Sequence, residues 1–71
     1  MYLANRGIDL PFTTEGTAYY LLAERIGDSF PEGAKTIKQM YEKVGRPLRL
    51  PKGDFKVLVD RAVREGYIAR S

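Results

Sequence analysis

The chain has 71 residues, a length that allows one small domain. It contains no cysteine and no histidine, which excludes disulfides, thiolate and imidazole metal ligands, and the commonest acid–base catalyst. Neither Ser29 nor Ser71 has a histidine to activate it, and no phosphate-binding loop is present. We therefore predict that the protein is not an enzyme and that it uses no metal and no cofactor.

Basic charge is concentrated in the second half of the chain. The net charge is +3, but residues 1–34 carry −3 and residues 35–71 carry +6. Such an asymmetry indicates either an anionic partner for the basic half or a solvated, salt-bridged surface. No apolar run reaches the length of a membrane span, and the N-terminus lacks the pattern of a secretory signal. We therefore expect a cytoplasmic protein without a membrane partner.

Residues 1–13 are predicted to form an extended N-terminal arm. They show no helical period, and Gly7 and Pro11 interrupt them. The arm is expected to pack either on the core of its own chain or on a second copy. Four apolar residues of the arm and of the first helix are the candidate contacts of a homodimer: Tyr2, Leu3, Tyr20 and Leu21.

Residues 14–71 are predicted to form the folded domain, with a first helix over 14–29. Its buried stripe is expected to contain Ala18, Tyr19, Leu22, Ala23 and Ile26. A turn at 31–35 leads to a second, short helix over 36–44, which begins with the capping-box pair Thr36 and Gln39. Gly45 stands where a left-handed residue would end this helix.

The connection at 46–53 contains two prolines and cannot be a regular helix, so we predict a short extended piece or edge strand there. A third helix is predicted over 52–65, closed by a glycine cap at Gly66 and followed by a strand over 67–70. Its expected buried stripe consists of Phe55, Leu58, Val59, Ala62 and Val63. Its expected outer face carries Lys52, Lys56, Val57, Asp60, Arg61 and Arg64.

This order of elements resembles a winged helix-turn-helix domain. The segment LVDRAVREGYIARS (58–71) is similar to the end of the recognition helix and the first wing strand in regulators of the multiple-antibiotic-resistance type. The segment TIKQMYEKVG (36–45) is similar to the helix before the recognition helix. The resemblance implies a mainly helical α+β fold of three helices with a two- or three-stranded sheet. The wing departs from the family, because a second wing strand is missing unless residues 46–50 supply it.

The resemblance implies a DNA-binding protein of transcription regulation, or a phage or plasmid accessory factor, whose third helix enters the major groove of double-stranded DNA. Lys56 would then read guanine and Val57 would meet a thymine methyl group, while Asp60 would accept from cytosine or, as we favour, pair with Arg64. One domain covers a half-site, so a palindromic site requires a homodimer. The basic side chains that would bind the DNA phosphates are those of Lys35, Lys38, Lys43, Arg46, Arg49 and Lys52.

A second interpretation is a winged-helix module that binds another protein and makes no direct contact with DNA. The incomplete wing and the acidic first half of the chain favour it. RNA or ribosome association would suit the charge, but the chain has too few free aromatic residues to stack on bases.

Overall fold

Helices occupy most of the chain in the computed structural model. The structure describes residues 1–5 and 14–71, and for residues 14 and 15 it describes the backbone alone. In chain order the elements are β1 (Tyr2–Ala4), α1 (Thr14–Ser29), α2 (Ile37–Met40), a π-helical turn (Tyr41–Gly45), α3 (Lys52–Arg64) and β2 (Ile68–Arg70). The predicted mainly helical α+β class is confirmed. The rest of the predicted arm, residues 6–13, lies outside the described residues. Within the described ranges, no helix combines the length and the apolar character that crossing a membrane requires.

One face of α1 supplies much of the core. Tyr19, Leu22 and Ile26 are buried as predicted, and α1 packs on α3 and on β1. The prediction that Ala18 belongs to the buried stripe is wrong, because its side chain is exposed. Successive residues of an α-helix are about 100° apart, so Ala18 lies about 100° from Tyr19, which stands near the middle of the buried arc. The ring of Tyr19 instead meets that of Tyr67, with centroids 5.8 Å apart.

The two strands form an antiparallel sheet in which Tyr2 stands opposite Arg70. On its other edge β1 meets the segment before α2, where the backbone N–H groups of Tyr2 and Ala34 each donate to the other's carbonyl at 2.7 Å. The suggestion that residues 46–50 pair with the C-terminal strand is wrong, since residues 46–49 form a turn. Residues 2–4 pair with it instead, and the Tyr2 side chain is only 7% exposed within the chain's own core.

The second helix begins as predicted but ends differently. The Thr36 hydroxyl accepts from the Gln39 N–H at 3.1 Å, while the Gln39 side chain accepts from the Lys35 N–H at 2.8 Å and not from that of Thr36. Beyond Met40 the helix widens into the π-helical turn, where the Arg46 N–H donates to the Tyr41 carbonyl at 2.7 Å.

The prediction of a left-handed cap at Gly45 is wrong, because its φ is not positive. Gly45 is buried against two aromatic rings. A Cβ on this residue would lie 2.6 Å from Cδ1 of Tyr41 and 2.7 Å from Cδ1 of Phe55. The absence of a side chain therefore permits the close approach of the π-helical turn to α3.

The end of α3 follows the predicted glycine cap. Gly66 has φ +89°, and its N–H donates to the Val63 carbonyl at 3.2 Å. The N–H of the next residue, Tyr67, donates to the Ala62 carbonyl at 2.9 Å. These two bonds form a Schellman motif, which turns the chain from α3 directly into β2. The buried side of α3, with Phe55, Val59 and Ala62 all fully enclosed, thereby fixes which side of the helix faces solvent.

Candidate nucleic-acid interface

The outer face of α3 is the best-defined candidate surface. All six residues predicted for it are exposed, because they lie opposite the enclosed residues of the same helix. The helix begins after Pro51, which makes no side-chain cap, and the carboxylate of Asp54 lies in its first turn.

A shallow groove runs along this face. It is lined by Asp54, Val57, Leu58 and Arg61, which are spaced at i, i+3, i+4 and i+7 and so lie in line on the helix surface. Val57 is 50% exposed and lies between charged neighbours on this face. Asp54 and Leu58 are not among the residues predicted for this surface. Their spacing from Val57 and Arg61 was the signal that would have included them.

One ion pair on α3 differs from the expected one. Asp60 Oδ2 lies 3.8 Å from Lys56 Nζ, so the favoured pairing of Asp60 with Arg64 is wrong. Arg64 lies in the last turn of α3, where the carbonyl end of the helix already attracts its positive charge. Within the described part of the chain neither Arg61 nor Arg64 belongs to an ion pair, so both guanidinium groups are available for a ligand.

The basic residues before α3 do not all share its outer face. Lys43 lines a small surface pocket with Arg25 and Asp28 of α1, and no α3 residue is among the described residues that line this pocket. Arg46 is engaged by Glu42, with Nη1 and Oε2 3.2 Å apart. The side chains of Lys35, Lys38, Arg49 and Lys52 are exposed.

The connection between the π-helical turn and α3 is an ordered turn. The Tyr41 hydroxyl donates to the Leu50 carbonyl at 2.8 Å, and the Leu50 N–H donates to the Gly45 carbonyl at 3.1 Å. Arg49 has φ +58°, a conformation that non-glycine residues seldom adopt. These bonds hold the backbone of Arg49 in this conformation three residues before α3 begins.

The four candidate dimer contacts divide into two groups. Tyr2 packs in the chain's own core, and its ring is covered by the Arg70 guanidinium at 5.6 Å from the ring centroid. Leu3, Tyr20 and Leu21 are 41%, 49% and 55% exposed. Only these three therefore offer appreciable side-chain area to a second copy.

No family model, curated protein or solved structure matches this chain. Among the described side chains, those of residues 1–5 and 16–71, no group of three or more carboxylates could hold a metal ion.

Proposed function

We propose that this protein binds double-stranded DNA by placing the outer face of α3 in the major groove, as a winged-helix regulator or a phage or plasmid accessory factor. The observation that carries the proposal is the exposed side of α3, on which Arg61 and Arg64 have no ion-pair partner in the described residues. A major groove about 12 Å wide admits one helix. Free guanidinium groups on that helix can contact base edges or the phosphates at the rim.

The segment before α3 and Lys52, the first residue of that helix, would contact the phosphate backbone of the DNA. Residues 35–52 contain six basic residues and one acidic residue. Lys35, Lys38, Arg49 and Lys52 are the best candidates for phosphate contacts, because Lys43 lies beside α1 and Arg46 is paired with Glu42. Such contacts fix the register of a protein on the duplex and carry no sequence information directly.

The sheet supports the winged-helix part of the proposal. In the proposed fold β2 is the first wing strand, and β1 takes the place of the second, between β2 and the bridge at Ala34. A homodimer on a palindromic site would use the exposed Leu3, Tyr20 and Leu21.

Binding to random-sequence duplex DNA tests the proposal, because non-specific binding is driven by counterion release. The four phosphate contacts proposed within residues 35–52 set a minimum slope of about −3.6 in a plot of log K against log salt, or roughly a 100-fold loss of affinity between 50 and 200 mM salt, and Arg61 and Arg64 steepen it where they contact phosphates. We expect a slope at least this steep in a fluorescence anisotropy titration of a labelled duplex. Absent binding, or binding that does not respond to salt, contradicts the proposal.

A protein-interaction module is the second candidate function, and the half-exposed Val57 between Asp54 and Asp60 favours it. An apolar side chain surrounded by charges of both signs suits a protein surface as well as a base edge. The same titration separates the two functions, since this module would leave the duplex unbound at every salt concentration.

Substitution of Asp60 by asparagine is expected to raise the affinity for random-sequence duplex about threefold to tenfold. The change releases Lys56 from its ion pair and removes a negative charge that faces the phosphates. The fold should be unaffected, since an exposed i, i+4 pair contributes only roughly 0.3–0.5 kcal/mol. Anisotropy titration and thermal unfolding measure the two quantities. Weaker binding by Asp60→Asn would show that Asp60 itself contacts DNA.

A further inference from the structure

We infer, resting on the proposed function, that Val57 and Arg61 form the base-reading pair of α3, with Val57 on a thymine methyl group and Arg61 on a guanine about two base steps away. The two side chains line the same groove on the outer face. This assignment replaces Lys56 and Asp60 as the readers of guanine and cytosine.

Val57 is the one apolar residue among the six of the outer face, and half of its surface is open to solvent. Its branched side chain has few rotamers and presents two methyl groups rigidly. The feature of a base pair that such a group recognises is the C5-methyl of thymine, which projects into the major groove.

Arg61 follows Val57 by one helical turn and shares its groove. Its guanidinium is in no ion pair within the described residues, and its planar fork matches the O6 and N7 acceptors of guanine. Lys56 and Asp60 lie 3.8 Å apart and partly neutralise each other, so each would have to give up its partner before contacting a base.

The helix fixes the distance between the two contacts. Four residues advance by about 6 Å along the helix axis, whereas base pairs are stacked about 3.4 Å apart. A helix lying along the groove therefore places Val57 and Arg61 over base pairs about two steps apart. We expect a thymine and a guanine at this separation in the preferred site.

The test begins with selection of the preferred site from a random duplex library by the whole protein. Each thymine of that site is then replaced singly by uracil, which removes only the methyl group. Uracil at one position should weaken wild-type binding about threefold to fivefold, as burial of one methyl group implies. The Val57→Ala variant should bind the thymine and uracil sites equally.

The guanine contact is tested on the same site. Replacing the guanine two steps from that thymine should weaken wild-type binding about tenfold or more, and the Arg61→Ala variant should lose this preference. Arg64→Ala is the matched control, because it removes the same charge one turn further on and should weaken binding to all sequences alike. Unfolding curves of the three variants establish that each is folded.

The inference is overturned if uracil weakens wild-type binding at no position of the site. It is also overturned if uracil weakens binding of the Val57→Ala variant as much as that of the wild type. Salt-dependent duplex binding without any selected sequence also overturns it, but leaves the proposed function standing. Absence of salt-dependent binding to any duplex overturns both.

Discussion

Replacing Arg61 and Arg64 together by glutamate is expected to weaken binding to random-sequence duplex DNA about 100-fold, or about 2.8 kcal/mol. Both side chains are exposed on the outer face of α3 and are unpaired within the described residues, so the change turns two attractive charges into two repulsive ones. The salt dependence should become shallower, because fewer phosphates are neutralised. Anisotropy titration at two or more salt concentrations measures both effects.

The matched control is Arg25→Glu, compared with Arg61→Glu as a single change. Arg25 is an exposed arginine of α1 and lies outside the proposed interface. Its replacement by glutamate reverses the same charge as Arg61→Glu does. We expect it to change the affinity about twofold at most. Since the two glutamates would lie in the last turn of α3, where negative charge is unfavourable, Arg61→Gln/Arg64→Gln serves as the milder variant.

If the Arg61→Glu/Arg64→Glu variant binds DNA as tightly as the wild type does, α3 is excluded from the DNA interface. If that variant binds DNA normally but no longer forms a complex with a protein partner, the outer face of α3 is a protein-binding surface. Equal losses in Arg25→Glu and Arg61→Glu would indicate a general effect of charge and no particular role for α3.

Gly45→Ala is expected to destabilise the fold by about 1–3 kcal/mol. The added Cβ would come within 2.6 Å of Tyr41 Cδ1 and 2.7 Å of Phe55 Cδ1. Neither ring has an easy way to move, because Phe55 is fully buried and the Tyr41 hydroxyl is bound to the Leu50 carbonyl. Thermal unfolding followed by circular dichroism should show a decrease in Tm of roughly 4–20 °C.

Gly53→Ala provides the matched control in the same chain. Gly53 is exposed in the first turn of α3, and a Cβ there would meet nothing within 4 Å. Because alanine favours a helix more than glycine does, we expect this change to be neutral or to stabilise the fold by up to about 1 kcal/mol. An unchanged Tm for Gly45→Ala would contradict the close approach between the π-helical turn and α3.

The helices could be predicted because their signals are local. Over α3 the apolar period and the glycine cap at Gly66 agree, and both are found in the structure. The π-helical turn could not be predicted, because Met40, Tyr41 and Val44 have the spacing of an ordinary α-helix. The close approach of Gly45 to Phe55 joins residues ten positions apart, and the local apolar pattern carries no sign of it.

The sheet and the ion pairs were beyond the local pattern for the same reason. A three-residue strand such as β1 has too few residues to show which segment it pairs with, so its pairing with β2 and Ala34 was missed. The exposed residues of α3 followed from the helical period alone. The ion-pair partner of Asp60 could not be predicted from that period, because Lys56 and Arg64 each stand four residues from Asp60 in the sequence.

The pairing of β1 with β2 also bears on the order in which the molecule folds. Its register joins Tyr2 to Arg70, so nearly the whole chain lies between two residues that meet. Closing so long a loop costs entropy before any sheet hydrogen bond compensates for it. The helices can form from near neighbours, and their packing brings the distant segments together. The strands should therefore pair late in folding and be among the first contacts to open when the protein unfolds.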